Sequence, residues 1–563
     1  MNDASAHCSP CVRVRAGFAR FAIAAELLPP PPGSCPCNGS VQLGSLSTPP
    51  YTPAPGFFDE LFDAPDRPRP PAGPLAAALG QLGRERLQAA GARRDAIFVQ
   101  QGITFDAAGP NGPTRDRPFP LDLVPRILGG DEWRVIKRGL AQRVRALNLF
   151  VEDVYHDREI IHEGIVPWQL VVTRSAFARA AHRIRPPGGV WCHVSGCDLV
   201  RDADGRWKVL EDNVRTPSGI SYVLENRIAM SRLLPELFAG YDVRPVSHYP
   251  ALLLDALRTA APSGGEDPVV VVWTPGPANS AYFEHAFLAR QMGVELVEAS
   301  DLVVRDALCY MRTTRGLARV DSIYRRIDDD FMDPLEFRAD SLLGVPGLMG
   351  AYRAGNVAIA NAVGTGVADD KAIYHYVPEM IRFYLGEEPI LDNLPTWLLA
   401  DPEQRAYALE RLHELVVKPT GESGGKGVFI GPHASEEQLE VERRLIEQAP
   451  ESWIAQQTVA LSTVPTVLPD GSLAPRHVDL RPFAVYGDEI KIVPGGLTRV
   501  ALREGSMIVN SSQGGGSKDT WVLAESDGRG PDSQADSLAP PSLPGMRQVG
   551  WRGQEQQQQQ AGR

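Results

Sequence analysis

The stretch from Leu415 to Ile430 constrains the fold most, because it places a glycine-rich loop between two apolar runs. The first run ends at Lys418, and the second covers Val428 to Ile430. The loop between them contains four glycines and a second lysine, namely Gly421, Gly424, Gly425, Lys426 and Gly427. Glycine has no Cβ and adopts positive φ freely, so the backbone N–H groups of such a loop can approach an anion closely. The pattern predicts a strand–loop–strand hairpin that either binds a polyphosphate or is only a flexible turn.

A Walker A phosphate loop is excluded by the same residues. That motif requires a glycine six residues before a Lys-Ser or Lys-Thr pair, and a helix after it. Thr420 occupies the glycine position, Gly427 follows Lys426, and the flanking sequence predicts strands.

The length and composition predict a soluble, globular protein with two to four domains. The chain has 563 residues, of which 43% are hydrophobic and 22% charged. The net charge of −12 argues against a nucleic-acid-binding surface, and no apolar run is long enough to cross a membrane. The chain has seven cysteines, without paired spacing through its body, which favours a reducing compartment, so a cytoplasmic location is expected. Only seven of the 57 basic residues are lysines, which makes Lys371, Lys418 and Lys426 more informative than a typical surface cation.

Changes in composition predict the domain organisation. Residues 1–56 are rich in proline, glycine and serine, lack the pattern of a secretory signal, and are predicted to be a disordered extension. Its cysteine pairs, Cys8 with Cys11 and Cys35 with Cys37, lack the second half of a zinc site. Three folded parts are expected, at 57–240, 265–365 and 366–523, followed by a disordered tail at 524–563.

Helix and strand patterns fill the folded parts. Apolar residues recur with helical spacing from Asp131 to Tyr155. An apolar strand from Val269 to Trp273 leads into a helix that ends near Gly293, and strand-like runs follow from Val294 to Val297 and from Leu302 to Val304. This succession predicts a parallel, Rossmann-like unit with a right-handed crossover. Two further runs, Trp453 to Val459 and Leu480 to Tyr486, are predicted to complete the lobe that carries the glycine loop.

A second hairpin is predicted from Asp198 to Asn213, with its turn at Asp204-Gly205. A two-residue or a four-residue turn places Asp198, Glu211 and Asn213 on one face, whereas an odd loop breaks this arrangement. Two carboxylates and an amide oxygen are hard ligands that suit Mg²⁺, although a polar, solvent-facing strand would look the same.

Two other groups of residues stay open at this level. The charged run from Tyr324 to Phe331 predicts either a solvated loop or a substrate contact. Tyr282 and Glu284 open the helix after Trp273, where either a substrate or a plain turn is expected. Cys192 and Cys197 are assigned to a core strand without a chemical role.

Together these motifs resemble the circularly permuted type 2 ATP-grasp family, similar to the glutathionylspermidine synthetase group. In ordinary ATP-grasp enzymes a metal hairpin of the form Asp…Glu-x-Asn…Pro-x-Gly closes the chain, but here it precedes the lysine hairpin. The resemblance covers roughly 57–523 and implies an α/β (α+β) ATP-grasp fold, circularly permuted, with a Rossmann-like pre-grasp domain.

The resemblance also implies roles for individual residues. The metal ligands correspond to Asp198, Glu211 and Asn213, and the phosphate-binding lysines to Lys371 and Lys418. The hinge strand for adenine corresponds to Gln456, Gln457 and Thr458, and the loop Gly421–Gly427 corresponds to the lid. Arg481 and Arg499 resemble the arginines that face the γ-phosphate, and Asn510 to Gly516 resembles the rim loop after them. An acidic residue for the ribose is not evident after the hinge.

The function implied is ATP-dependent joining of a carboxylate to an amine through an acyl phosphate, with ATP and Mg²⁺ as cofactors. The expected partners are small-molecule or peptide substrates and a protein of the same pathway, with neither nucleic acid nor membrane. Two alternatives remain, namely an ATP-binding scaffold without ligation and a kinase that stops at phosphoryl transfer.

Overall fold

The structure is a computed structural model that describes residues 51–524, except 105–106, 110–111, 115–117, 263–266, 422–426, 508 and 510–513. The side chains of 107–109 and 112–114 are also outside this description. Most of the predicted extension and tail, the four N-terminal cysteines and part of the rim loop therefore lie outside the described residues. Tyr51, within the predicted extension, is only 1% exposed and donates a hydrogen bond to the Asp59 carboxylate.

The helices follow from apolar faces such as the one predicted between 131 and 155. Most apolar side chains of that helix are buried, among them Ile136, Leu140, Val144, Leu147 and Val151, whereas Val135 is 51% exposed. The α-helices of the described residues are α1 (Gly73–Gln101), α2 (Gly130–Tyr155), α3 (Glu159–His162), α4 (Gln169–Val172), α5 (Ile220–Leu233), α6 (Tyr249–Thr259), α7 (Tyr282–Met292), α8 (Asp329–Met332), α9 (Leu348–Arg353), α10 (Lys371–Tyr374), α11 (Val377–Leu385), α12 (Pro402–Glu410) and α13 (Glu436–Gln448).

The strands are mostly short and belong to several separate sheets. In chain order they are β1 (Phe62–Ala64), β2 (Arg67–Pro68), β3 (Ala107–Gly109), β4 (Gly112–Thr114), β5 (Leu121–Leu128), β6 (Val194–Arg201), β7 (Trp207–Asn213), β8 (Val270–Trp273), β9 (Glu295–Val297), β10 (Leu302–Arg305), β11 (Leu308–Thr313), β12 (Gly316–Arg319), β13 (Ser322–Arg325), β14 (Ala358–Ala360), β15 (Asp392–Asn393), β16 (Thr396–Leu398), β17 (Leu415–Pro419), β18 (Phe429–Ile430), β19 (Trp453–Gln457), β20 (Thr463–Val467), β21 (Leu473–Arg481), β22 (Phe483–Tyr486), β23 (Ile490–Ile492), β24 (Leu497–Val500) and β25 (Gly516–Val522).

The largest sheet in the described part of the chain carries the predicted metal hairpin. Its main path runs β15-β7-β6-β21-β24-β25-β5, with β20 beside β21 and β22 between β6 and β23. The buried side chains of α2 cover this sheet by packing with Leu199, Val209 and Leu480. Antiparallel pairing of β21 with both β6 and β24 brings the arginine strands next to the metal hairpin.

The segment from Leu480 to Tyr486 differs from its prediction. It forms the end of β21 and all of β22, and both lie in the largest sheet instead of beside the glycine loop. The reason is that Phe483 pairs with Gly196 and Leu480 with Leu199, so β6 offers the backbone partners. β22 then pairs with the following strand, β23, in an antiparallel hairpin.

The Rossmann-like unit is confirmed. Its sheet has the order β14-β13-β8-β9, in which every pair is parallel, and α7 connects β8 to β9. The run from Leu302 instead begins a separate antiparallel sheet, β10-β11-β12.

The glycine loop lies between two antiparallel strands, as predicted. β17 pairs with β18 through Val416 with Ile430 and Val417 with Phe429, in a sheet of order β16-β19-β17-β18. Lys418 is on the incoming strand β17. In the described residues no helix is both long and apolar enough to cross a membrane.

Removal of residues 1–50 together with everything after Asp527 is expected to leave a folded protein. The removed segments lack apolar periodicity, whereas the core-forming strand β25 ends at Val522 and is retained. Thermal unfolding of the truncated and full-length proteins should give midpoints within a few degrees of each other. Insoluble truncated protein would contradict this prediction.

Candidate active site

The loop of the β6–β7 hairpin has five residues, Asp202 to Arg206, instead of the two or four that were considered. Asp202 organises this loop, because its Oδ1 accepts hydrogen bonds from the N–H groups of Asp204 and Arg206 at 3.0 and 2.9 Å. Position 205 of this loop requires glycine for two reasons. Its φ is +79°, and a Cβ there would lie 2.7 Å from the ring of Phe58.

A β-bulge restores the face that this odd loop would otherwise disrupt. Leu199 pairs with Val209, but the next pair is Asp198 with Glu211, so Leu210 is the extra residue. Without the bulge Asp198 would face Leu210, and Glu211 would point to the other side of the sheet. The bulge therefore places Asp198, Glu211 and Asn213 on one face, as predicted, by a different route.

Asp198 lies at the centre of a buried ion-pair network with both predicted catalytic arginines. Its Oδ1 accepts from Arg481 Nε at 2.5 Å, and its Oδ2 accepts from Arg481 Nη2 at 2.7 Å and from Arg499 Nη2 at 2.6 Å. Arg499 Nε also donates to Asp479 Oδ1 at 2.9 Å. Burial by itself raises the pKa of Asp198, but the two guanidinium groups outweigh it and hold that pKa below its ordinary value.

The chemistry of the donor set fits a magnesium ion. A carboxylate has about four acceptor positions, and the described residues use one on Asp198 Oδ1 and two on Oδ2. Asn213 donates through Nδ2 to the Gly196 carbonyl at 3.1 Å, which leaves its Oδ1 for a cation. The described residues contain no group of three or more His, Cys, Asp or Glu able to hold a metal. The predicted set therefore depends on the amide of Asn213 as its third ligand.

Lys418 projects from β17 into a partly buried, polar position. Its Nζ donates to Gln456 Oε1 at 2.6 Å, and Gln456 Nε2 donates to Thr396 Oγ1 at 3.1 Å. The pKa of Lys418 is lowered to about 8, mainly by burial and also by the charges of Lys371 and Arg499, against the opposing effects of Glu211 and Asp198. The sheet that contains β17 and the largest sheet thus bring Lys418 close enough to Glu211, Asp198 and Arg499 for their charges to interact.

Lys371 is positioned by its preceding residue and by the strand of Lys418. Asp370 caps α10 by accepting from the N–H of Ala372 at 2.8 Å. The backbone N–H of Lys371 donates to the carbonyl of Thr420, two residues after Lys418, at 3.2 Å.

Several predicted nucleotide-binding residues are not brought into this cluster. Gln457 is exposed at the end of β19, and Thr458 Oγ1 donates to the Glu414 carbonyl at 2.6 Å. Gly421 and Gly427 are the exposed ends of the glycine loop, while Gly424, Gly425 and Lys426 lie outside the described residues. Cys192 and Cys197 are buried, and burial raises the pKa of both thiols.

Glu284 and Arg326, for which the sequence allows either a substrate contact or a structural role, are buried and support the rim of the site. Glu284 Oε2 accepts from the N–H of Gly219 at 2.7 Å and from the N–H and Oγ of Ser221 at 3.1 and 2.9 Å. Arg326 donates to the Pro217 carbonyl at 2.8 Å and to Glu284 Oε1 at 3.2 Å. The Rossmann-like unit therefore holds the Pro217–Gly219 turn, and both side chains are structural instead of substrate-facing.

Asp479 and Asp369 have no role predicted from the sequence. Asp479 precedes Arg481 by two residues on β21, a spacing that puts both side chains on one face and was the available signal. Asp369 Oδ1 accepts from the N–H groups of Val214 and Arg215 at 2.5 and 3.1 Å, directly after the metal hairpin. Asp369 has no comparable signal, because its partner lies more than 150 residues away.

The family is decided by comparison with known sequences. The model of the family described as circularly permuted ATP-grasp type 2 matches residues 125–501. The chain belongs to this family. The match includes the predicted metal hairpin, Lys371, Lys418, Arg481 and Arg499, and family membership suggests an ATP-dependent ligase.

Two relatives and one solved structure are similar to this ATP-grasp protein. It is 55% identical over 474 residues to an uncharacterized protein of Synechocystis sp., covering 84% of this chain and 98% of the relative. It is 47% identical to “Putative glutamate–cysteine ligase 2-3” of Frankia alni, over 85% of this chain but 55% of that protein. A glutathione synthetase-like effector of Globodera pallida shares 12% identity over 78% of this chain and 98% of its own, with a TM-score of 0.49. That structural likeness is too weak to carry an argument.

Proposed function

We propose that this ATP-grasp protein joins a carboxylate to an amine, using ATP to form an acyl phosphate that the amine then attacks. The supporting observation is the buried network in which Asp198 and Asp479 hold Arg481 and Arg499. Within the described contacts, Arg499 engages these carboxylates through Nε and Nη2, which leaves Nη1 for a ligand. Arg481 Nη1 has only the distant Ser218 carbonyl at 3.5 Å.

Guanidinium groups fixed in this way suit a reaction that needs charge stabilisation more than a covalent nucleophile. Phosphoryl transfer depends mainly on positioning and on neutralising the charge of the transferring group. Donors that are already oriented require no rearrangement when that charge develops. Arg481 and Arg499 would therefore bind the γ-phosphoryl group and the acyl phosphate.

The remaining residues have binding roles in this proposal. Lys371 and Lys418 would hold the α- and β-phosphates, and the Gly421–Gly427 loop would cover them and exclude water. Glu211, Asn213 and Asp198 would hold Mg²⁺, which when bound neutralises phosphate oxygens. Gln456 would orient Lys418 through the 2.6 Å hydrogen bond. The adenine contacts of Gln457 and Thr458 remain part of the proposal.

The substrates proposed are a small-molecule or peptide carboxylate and an amine. The glutamate and cysteine in the name of the Frankia relative describe a protein of which this chain spans about half. They are therefore reasonable first substrates to assay, without fixing the specificity.

Product analysis separates ligation from its two alternatives. Purified protein is incubated with ATP, Mg²⁺ and pairs drawn from amino acids and short peptides, and ADP and amide are quantified. Ligation requires ADP formation that depends on both substrates and equals the amide formed. ATP binding without turnover would indicate a scaffold, and ADP formation without an amide would indicate a kinase.

Glu211→Gln and Asn213→Ala are expected to abolish Mg²⁺-dependent turnover while leaving the fold intact. Glu211→Gln removes the charge of one proposed ligand, and Asn213→Ala removes the oxygen of another. The side chain of Glu211 is 28% exposed, so its replacement by the similar glutamine should not disturb packing. The measurement is ADP formation as a function of Mg²⁺ concentration, with thermal unfolding as the check on folding. Glu410→Gln, an exposed acid, is the control. Unchanged Mg²⁺ dependence in both variants would show that the hairpin is only structural.

Binding of ATP is expected to take up protons near pH 8 through Lys418. The pKa of Lys418 is about 8 in the folded protein and 10.5 ordinarily, and phosphate anions would raise it again. At pH 8 the amine is half ionised, so uptake reaches up to about half a proton, and it vanishes below pH 6.5. Without ATP, the destabilising effect of burying this cation is fully present below pH 8 and disappears as the pH rises from 8 to 10.5.

Calorimetric titration of ATP in buffers with different ionisation enthalpies measures this uptake. Lys418→Met should remove it, while Lys491→Met, at an exposed lysine, should keep it. The same uptake in Lys418→Met as in the unaltered protein would refute the assignment.

A further inference from the structure

A cleft of about 680 Å³ adjoins the candidate site and has no role in the function proposed so far. All of its lining residues come from one segment, 168–179, which includes α4. Trp168 and Phe177 supply aromatic surface, and Thr173 and Ser175 supply hydroxyl groups. Trp168 is 53% exposed, an unusual degree of exposure for the largest aromatic side chain.

The charge of the cleft is entirely positive. Arg174 and Arg179 line it, and its described lining residues include no carboxylate. Arg174 Nε is buried without a hydrogen bond to any described residue, and its nearest acid, Asp370 Oδ2, lies 3.6 Å away. A buried donor that makes no hydrogen bond is costly, so a ligand acceptor would be favourable here.

The walls of the cleft are held by stacked aromatic rings. The ring of Phe177 stacks on Tyr155 with centroids 4.9 Å apart, and Tyr155 stacks in turn on Trp191 at 5.3 Å. The Tyr155 hydroxyl accepts from the N–H of Ala178 at 3.0 Å and donates to the Gly364 carbonyl at 3.0 Å. These contacts preform the cleft, which reduces the entropy lost when a ligand binds.

The cleft also adjoins the residues proposed to bind phosphate. Asp370, the ion-pair partner of Arg174, caps the helix that begins at Lys371. Ala176 packs against Gly366 on the side shared with Arg215, and a Cβ on Gly366 would lie 3.5 Å from Ala176 Cβ and 3.2 Å from Arg215 Cδ. Arg215 follows the metal hairpin by two residues.

We propose that this cleft binds an amino-acid or peptide substrate of the ligase through a carboxylate that is not the one activated. Arg174 and Arg179 bind that carboxylate, and Trp168 and Phe177 contact the apolar part of the molecule. The proposal rests on the proposed function, because it assigns the cleft to a substrate of that same reaction. The proposal predicts one of two kinds of substrate for this cleft. The first is the acid that is activated, carrying a second carboxylate, and the second is the amine, carrying a carboxylate besides its reacting amino group.

The test uses two probes, N-acetyl-L-glutamate and N-benzoylglycine, each compared with the same compound as a primary amide. Calorimetric titrations are carried out with a non-hydrolysable ATP analogue present at saturation. At least one carboxylate should bind, and its amide should bind at least about 10-fold more weakly, as expected for the loss of one charge-assisted hydrogen bond.

Substitutions separate this cleft from the phosphate site. Arg174→Gln and Arg179→Gln should each weaken carboxylate binding by about 10-fold and leave the affinity for the ATP analogue unchanged. Arg179→Gln guards against an indirect effect through Asp370, because Arg174 pairs with Asp370 whereas no described ion pair joins Arg179 to it. Arg185→Gln is the control, since its side chain is 77% exposed and lies outside the cleft lining.

Four results would overturn the proposal. They are no binding of either carboxylate, equal binding of the amides, unchanged binding in both arginine variants, and tighter binding of the probe in a titration without the ATP analogue, which would show that both compete for one site. Failure of the proposed function is distinguished by the ATP analogue itself, which would then not bind or would support no ADP formation when replaced by ATP.

Discussion

Replacing Arg481 or Arg499 by methionine is expected to reduce turnover by roughly 10²–10³, as for a preorganised transition-state donor. Both guanidinium groups are fixed by Asp198, where they can meet the charge that develops on the transferring phosphoryl group. ATP affinity should change much less, because these interactions strengthen mainly in the transition state. Single-turnover ADP formation at saturating ATP measures the chemical step separately from binding.

Lys418→Met is expected to give the opposite pattern. The α- and β-phosphates carry the same charge before and during the reaction, so loss of Lys418 weakens ATP binding uniformly. The expected loss is about 10- to 100-fold in affinity, the range for one hydrogen bond to a charged group. Chemistry at saturating ATP should be nearly unchanged. Equal loss of affinity in all three variants, with intact chemistry at saturation, would make the arginines ordinary phosphate anchors.

The arginine variants need a control for stability. Asp198 and Asp479 are both fully buried, so removing Arg499 leaves them with fewer compensating charges. Thermal unfolding should accompany each kinetic measurement, and Arg481 is the safer position because its side chain is 13% exposed. Arg93→Met, at an exposed position, controls for loss of a positive charge.

Glu284→Ala is expected to destabilise the protein by about 3–5 kcal/mol, as when one partner of a buried ion pair is removed. The side chains of Glu284 and Arg326 are 1% and 2% exposed, and the substitution would leave Arg326 without its counter-ion. It would also leave the N–H groups of Gly219 and Ser221 without their acceptor. Turnover should fall as well, because the Pro217–Gly219 turn adjoins the metal hairpin.

A double-mutant cycle with Arg326→Met tests the origin of this loss. If the pair acts as a unit, the double variant should be less destabilised than the sum of the single variants. Denaturant unfolding supplies the free energies. Glu336→Ala is the matched control, since Glu336 pairs with Arg353 at the surface, where an ion pair contributes little. Additive effects at Glu284 and Arg326 would show that the rim does not depend on their pairing.

The sequence was sufficient to predict the strand–loop–strand hairpin around Lys418 and the hairpin that carries Asp198, Glu211 and Asn213. These motifs are local. Glycines, alternating polar residues and a lysine at a strand end act within some twenty residues, and the order of the motifs along the chain identified the permuted family. The parallel unit at Val270–Trp273 was likewise visible, because an apolar strand followed by a helix has few topological solutions.

Tertiary structure decided how these motifs meet. The five-residue loop and the bulge at Leu210 depend on pairing with β6, and the turn chemistry alone favoured an even loop. The placement of β22 beside β6 instead of near Lys418 depends on which strand edge is available. Periodicity within a segment contains no information on such a choice, because both edges offer the same backbone groups.

The ion pairing and protonation of the site residues likewise depend on their burial in the folded protein. Asp198 and Arg499 are 301 residues apart in the chain, yet they form one ion pair, and the pKa of Lys418 is lowered because its surroundings exclude water. The sequence around Glu284 and Arg326 is compatible with a turn or loop and with a substrate contact. Their buried hydrogen bonds to Gly219 and Pro217 show that they hold the Pro217–Gly219 turn. The sequence thus names the candidate residues of the site. Their protonation, ion pairing and exposure depend on neighbours from distant segments, because solvation and Coulomb energies depend on distance in space.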